Sequence, residues 1–542
     1  MKLYSVTEMQ SLEKEANQEG LTYETMMENA GRGIAKEIET AYSHFNNKKV
    51  FALIGSGNNG GDALVALSHL AMNNWVTCAY IVYRRAGNNP LIARLVDNSG
   101  RVIDSEEDNK FMLLSQLIES SCVLIDGVLG TGIKLPIKDE IGSILAFVKT
   151  RIKSTNNTIH VVAVDCPSGV DCDTGEIADE TIPAEITITM AGMKPGLIKF
   201  PAARFTGEIR FASIGSLEHL QSYKENHKII LTSEVIKKNL PNRPLDSHKG
   251  TFGTAFIIAG SVNFTGAALL AGLAAYRMGS GLVTMSVPAP LHGALSGNFP
   301  EATWVLLPQE MGVISKDAVE TVRKNINRAT AILLGPGLGL EDTTKEFIRR
   351  LINTTSEQRG SIGFIHDVKL GDEGTSIQIP MVVDADGLKL ISKIDKWSEL
   401  LPSPAVLTPH PGEMAVLTGL STSEIQENRI EIAKEYSKKW GHIVVLKGAY
   451  SVIADPTGNI AIVPVATPAL AKAGTGDVLA GLIVGLLAQG VDAFQAACMG
   501  AWIHANAGLL AARILGNTAS VIARDVLNAV PQIISDIQLE KI

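Results

Sequence analysis

The chain has 542 residues, 46% of them hydrophobic and 5% aromatic, with 50 glycines and a formal net charge of −8. That length exceeds one core, the apolar content excludes a disordered chain, and the mild acidity without a basic block argues against a nucleic-acid footprint. The five cysteines, Cys78, Cys122, Cys166, Cys172 and Cys498, include no C-x-x-C pair, which argues against a disulfide framework or a zinc site and fits a reducing cytoplasm.

In chain order, MKLYSVTEMQSLEKEA sets Ser5 and Glu8 at capping-box spacing before a charged helical pattern, which is not a signal peptide. From Lys49, short β-branched runs (VFALIG, TCAYIVY, CVLIDGVLG, HVVAVDCPSG) alternate with helical stretches, which predicts a parallel sheet with helices on both faces. Three of these runs end in glycine or aspartate, at strand C-termini, where open α/β sheets bind ligands. GSGNNGGDALV, Gly55 to Val65, follows a strand and opens a helix, so its N–H groups could cradle a phosphate. It is neither a Walker loop nor a G-x-G-x-x-G fingerprint, and a tight turn without ligand is the competing reading.

The polar piece EHLQSYKENHK marks a linker within 217–230, and the expected domains are 1–222 and 223–542. Beyond it the alternation restarts with TAFIIAGS. AALLAGLAAYRMGSGLVTM comes closest to a membrane span, but Arg277 and several glycines interrupt it, so no membrane association is expected. GPGLG, LTPHPGE and VLKGAYSVI then supply loops at strand ends. Last comes AKAGTGDVLAGLIVG, whose 11-residue apolar run is too short to cross a membrane and predicts a buried helix with Asp477 in its first turn. That aspartate either caps the helix or works beside a bound phosphate.

Together the Gly-Asn-Asn-Gly-Gly-Asp loop, the Asp-x-x-x-Gly-Thr-Gly loop, Val-Asp-x-Pro-Ser-Gly and GMKPGLIKFPA, in this order, resemble the NAD(P)HX epimerases, which interconvert the R and S hydrates of NADH and NADPH. The resemblance implies that Asn58, Asn59, Gly60, Gly61 and Asp62, with Gly130, Thr131, Gly132, Ile133, Lys134, Leu135 and Pro136, hold the nucleotide. It further implies that Asn59, Asp126 and Ser168 ligate K+ and that Asp165 serves as acid or base. Oxygen donors suit such a cation, and Cys166 and Cys172 are expected to be packing residues. Ala63 departs from the glycine usual in that family.

The second half resembles the ribokinase-like ADP- or ATP-dependent NAD(P)HX dehydratases, which return the S hydrate to the reduced nucleotide. By that resemblance Ala255, Gly337, Gly339, His410 and Asp477 contact the hydrate. Lys447, Gly448, Ala449, Tyr450, Ser451 and Gly476 hold the adenine nucleotide, with Gly474, Thr475 and Gly476 as phosphate cradle and Mg2+ on the phosphates. Asp477 is expected to be the general base. His410, between two prolines, has a purely structural hydrogen-bonding role as its competing reading. The expected architecture is therefore α/β in two domains, an N-terminal Rossmann-like three-layer parallel-sheet domain and a C-terminal ribokinase-like one. The expected protein is a cytoplasmic homo-oligomer whose partners are NADHX, NADPHX and ADP or ATP. The alternative is a small-alcohol kinase of the vitamin-precursor type with a non-catalytic nucleotide-binding N-terminal module.

Overall fold

Short runs of valine, isoleucine and leucine form the inner strands, which are buried on both faces between helices. The computed structural model describes residues 1–82, 89–137, 139–155, 157–353 and 377–541. They divide into two units, Met1–Lys228 and Ile229–Ile542.

The first unit carries β1 (Lys49–Ile54), β2 (Val76–Ile81), β3 (Arg101–Asp104), β4 (Val123–Gly127), β5 (His160–Val164), β6 (Ile186–Met190) and β7 (Glu208–Ala212). All pair in parallel in the order β3-β2-β1-β4-β5-β6-β7. Alternate residues of β1 enter opposite cores: Val50, Ala52 and Ile54 one layer, Phe51 and Leu53 the other. The direction of strand addition reverses between β1 and β4, and this switch point opens a crevice at the strand C-termini. Ser5 and Glu8 form the capping box that their spacing predicts. EHLQSYKENHK folds back onto this unit: Leu220 is fully buried in its core and Gln221 N–H donates to Glu15 Oε1 at 2.8 Å. The structural division therefore falls after Lys228, six residues beyond the boundary expected at 222.

The second unit takes up β8 (Lys228–Ile230), which starts at the division itself, then β9 (Thr254–Ile258), β10 (Leu282–Pro288) and β11 (Thr303–Leu307), followed by a small hairpin, β12 (Gln309–Glu310) and β13 (Val313–Ile314). Then come β14 (Ala331–Leu334), β15 (Met381–Val383), β16 (Val406–Leu407), β17 (Ile443–Leu446), β18 (Val452–Ala454) and β19 (Ile460–Ile462). Its main sheet runs β11-β10-β9-β14-β15-β16-β17-β18-β19-β8, parallel from β11 to β17, with β17, β18 and β19 antiparallel. The helix Thr475–Ala488 is buried from Val478 to its end. An added Cβ at Gly481 would lie 2.3 Å from the Ala271 carbonyl oxygen, so the helix Thr265–Arg277 packs directly on that glycine. AALLAGLAAYRM thus belongs to a core helix, and among the described residues no helix is long and apolar enough to cross a membrane. All five cysteines are buried and free.

Candidate active sites

In the first unit the loops after β1, β4 and β5 meet at the switch point. The segment from Asn58 to Asp62 is the first turn of the helix Asn58–Met72; Asn58 is exposed, whereas Asn59, Gly60, Gly61 and Asp62 are buried. Asn59 Nδ2 donates to the carbonyls of Val164 (2.6 Å) and Leu129 (3.3 Å), tying the helix start to the ends of β4 and β5. An added Cβ at Gly130 would stand 2.4 Å from Asn59 Oδ1, so a side chain there would push the Asn59 amide out of place. Thr131 to Pro136 continue as a partly exposed loop, with Lys134 in solvent.

Asp126 is fully buried. Its Oδ1 accepts from Ser168 Oγ (2.5 Å) and Val128 N–H (3.4 Å), and its Oδ2 from Ser168 N–H (2.8 Å). Burial pushes its carboxyl up against these three bonds, and among the described residues no cationic side chain balances it. The three residues expected to bind a cation thus converge on one loop cluster. Ala63 is fully buried with its methyl against Gly127, where an added Cβ would lie 2.8 Å away, so the departure at this position goes into helix–sheet packing.

Asp165 follows β5 at φ +65, a strained backbone for a non-glycine residue. Its Oδ1 accepts from Thr189 Oγ1 (3.0 Å), Met190 N–H (3.1 Å) and Lys194 Nζ. Lys194 is 1% exposed and also donates to Thr189 Oγ1 and the Met190 carbonyl. Burial, then Asp165 and Glu13, push the Asp62 carboxyl well above the usual range; Lys194 opposes them. Glu13 is raised too, by burial first, so Asp165 belongs to a cluster of three carboxyl groups around one buried lysine. Sequence reasoning missed Lys194 and Glu13; the lysine lay within the quoted GMKPG, where nothing local marks it as buried.

In the second unit a cavity of about 430 Å³ is lined by Lys447, Gly448, Ala449, Ser451, Thr475 and Gly476, with His410 and His504 also in its walls. Tyr450 is not among the lining residues; its N–H donates to the Val465 carbonyl. Gly474 caps the helix Thr475–Ala488 at φ +88, a left-handed conformation that favours glycine. At Gly476 an added Cβ would occupy the gap between Lys447 Nζ (3.5 Å) and Asp384 Oδ2 (3.9 Å).

Lys447 Nζ donates to Asp384 Oδ1 at 2.7 Å and lies 3.6 Å from Glu413 Oε2. Burial pulls the lysine down, but Asp384, Glu413 and Asp477 outweigh it and hold it above its ordinary value. Asp384 is 1% exposed, and its Oδ2 is buried without a partner. Burial first, then Asp384, raise Asp477 to about 7 against the pull of Lys447. Gly339 N–H donates to Asp386 Oδ2 at 3.1 Å, and Asp386 is another carboxylate that raises Asp477, so the Gly337–Gly339 loop reaches the same acidic cluster. Ala255 lies inside β9, fully buried in the core, and does not line the cavity.

His410 Nδ1 accepts from Gly412 N–H (3.0 Å) and Glu413 N–H (3.2 Å), capping the helix Pro411–Thr418, and Glu413 Oε2 accepts from His410 N–H. Burial holds the imidazole below its usual value, which suits a ring nitrogen that accepts. The structural role considered for His410 and its place in the cavity wall therefore coexist. Sequence reasoning missed Asp384, Glu413 and His504; Glu413 ends the LTPHPGE stretch, and Asp384 directly follows β15.

A family model for NAD(P)H-hydrate dehydratases matches residues 255–532, and one for the YjeF-related protein N-terminus matches residues 23–196. The bifunctional NAD(P)H-hydrate repair enzyme of Moorella thermoacetica is 33% identical, over 100% of this chain and 98% of its own. That of Salinibacter ruber is 33% identical over 95% and 93%. A crystal structure of the ADP/ATP-dependent NAD(P)H-hydrate dehydratase from Bacillus subtilis, co-crystallised with ATP and Mg2+, is 29% identical, spans 56% of this chain and 97% of its own, and aligns with a TM-score of 0.46.

Proposed function

The chain belongs to the family of bifunctional NAD(P)H-hydrate repair enzymes, and from that membership we propose how its residues divide the work. The first unit epimerises the R and S hydrates of NADH and NADPH; the second dehydrates the S hydrate at the expense of ADP or ATP. The observation that carries the reading is the coexistence of a Lys194-paired Asp165 at the switch point of one unit with Asp477, raised to about 7, in the other.

In the first unit Asp165 moves the proton that epimerisation requires, and its ion pair with Lys194 orients it. Asn58 to Asp62 and Gly130 to Pro136 hold the nucleotide. Asn59, Asp126 and Ser168 fit K+: they offer amide, carboxylate and hydroxyl oxygens, and among the described residues no cationic side chain stands beside the buried Asp126 carboxylate. Bound there, K+ would supply the counter-charge to Asp126. Replacing Gly130 by alanine drives a methyl into Asn59 and is expected to slow R-to-S interconversion by about 10²-fold through misplacement. Dehydration of the pure S hydrate serves as the unaffected control.

In the second unit Lys447 to Ser451 and Gly474 to Gly476 hold the phosphates of ADP or ATP. Asp477 takes the proton of the ring hydroxyl, whose oxygen attacks the terminal phosphorus and displaces AMP or ADP. The ring nitrogen's electron pair then expels phosphate, and loss of a proton from the adjacent ring carbon restores the reduced nicotinamide. Hydroxide is a poor leaving group and phosphate a good one, which is the reason for the nucleotide. Among the described residues no set of three or more His, Cys, Asp or Glu is placed to hold a metal, whereas Asp384 offers a buried oxygen without a partner. That donor set fits Mg2+, which typically uses one or two carboxylates plus phosphates and water and neutralises their charge. A cytoplasmic setting goes with the same reading and is consistent with the buried free thiols.

The test is a mixed-epimer hydrate of NADH incubated with Mg2+ and ADP or ATP, following the return of reduced-nicotinamide absorbance. Complete recovery is expected. With Asp165→Asn, recovery should stop at the S fraction; full-rate recovery of the R fraction would remove Asp165 from the mechanism.

A further inference from the structure

Arg429 opens the helix Arg429–Trp440, and its guanidinium reaches the end of β17. Nη2 donates to the carbonyls of Leu446 (2.8 Å) and Lys447 (3.3 Å), Nη1 to Gln426 Oε1 (2.9 Å), and the buried Nε has no partner. Among the described residues no carboxylate pairs with this guanidinium, and burial pushes it down to about 10, so it stays charged at neutral pH. An added Cβ at Gly448, φ +146, would lie 3.1 Å from both Nη1 and Nη2. Gly448 therefore has the guanidinium packed against it and is itself part of the cavity wall.

The half-buried guanidinium gives up part of its hydration, at Nε completely, with no counter-ion, and a neutral amide could hold the same two carbonyls without that cost. Nor is the charge redundant. Lys447, the other cation at this loop, is already offset by Asp384 and Glu413. We infer that Arg429 is a positioning residue of the nucleotide site. It clamps the two carbonyls that lead into Lys447–Ser451, and it sets an unbalanced positive charge behind the wall that the nucleotide's phosphates face. The inference rests on the reading that Lys447–Ser451 hold the adenine nucleotide.

Equilibrium binding of ATP, ADP and adenosine to the full-length protein, with Mg2+ present, tests it. Arg429→Gln is expected to weaken ATP and ADP by about 10- to 100-fold, the typical range for a lost charge-assisted interaction, and adenosine far less. In turnover, KM for the nucleotide should rise while kcat at saturation and KM for the hydrate change little. Arg429→Lys keeps the charge and loses the fork, so it should retain most of the preference for ATP over adenosine. Unchanged ATP binding in Arg429→Gln overturns the inference; so does an equal loss for ATP and adenosine, which would mark a purely structural clamp. Should Arg429→Gln fail to fold, the ATP-to-adenosine ratio of Arg429→Lys decides, and its collapse to unity overturns the inference. Ala449→Trp separates the underlying reading: if this bulky change in the cavity wall leaves ATP binding intact, the nucleotide lies elsewhere.

Discussion

Asp477→Asn is expected to slow nucleotide-dependent dehydration by about 10²–10⁴-fold, the usual contribution of a positioned proton acceptor, and to leave epimerisation untouched. The carboxyl stands in the first turn of a buried helix, beside the Gly474–Gly476 segment and next to Lys447 and Asp384. Its raised pKa of about 7 carries a pH signature. A base acts only when ionised, so dehydration should rise about tenfold per pH unit up to that midpoint and then level off. The neighbours fix how the midpoint moves. Asp384→Asn removes a carboxylate that raises Asp477 and should shift the midpoint to lower pH. Lys447→Met removes the cation that lowers it and should shift the midpoint upward, with Asp384 left unpaired. Rate-against-pH profiles with the pure S hydrate at saturating nucleotide read both shifts. A midpoint that stays fixed in both variants would assign the titration to another group.

The second large effect is expected for Lys194→Met. This lysine is almost completely enclosed and donates to Asp165, Thr189 and the Met190 carbonyl. Removing one partner of a buried ion pair typically costs about 3–5 kcal/mol, because the other charge stays behind without compensation. The Asp62 and Glu13 carboxyls, raised by burial, also lose the cation that opposes that rise. The first unit should therefore melt well below its normal temperature, and epimerisation should be lost while the S hydrate is still dehydrated. The double variant Asp165→Asn with Lys194→Met has no stranded charge, so it should regain most of the stability and none of the epimerisation. Thermal melts of the single and double variants, with epimer interconversion assayed on each, make that separation. Wild-type epimerisation in Lys194→Met at permissive temperature would show that the lysine only fills space.

Local features account for most of what could be read from the chain alone. Alternating β-branched runs and helical stretches announce parallel sheets because a strand covered on both faces must be apolar throughout. Loops rich in glycine and aspartate at strand ends mark where ligands could sit, and the apolar run after Asp477 predicts the buried helix that places this carboxylate in a first turn. The capping box at Ser5 and Glu8 is equally local. The electrostatic partners are a different matter. Lys194 reaches Asp165 across 29 residues, Lys447 reaches Asp384 across 63, and Arg429 holds carbonyls 17 and 18 residues on. Nothing in GMKPG tells a solvated lysine from an enclosed one, and nothing around Ala255 tells a core methyl from a ligand contact. Those distinctions depend on which strand ends lie side by side and on how much water the packing removes. Strand order and burial are properties of the whole sheet, so only the tertiary structure decided which charges are paired, which are left unbalanced, and what each aspartate is poised to do.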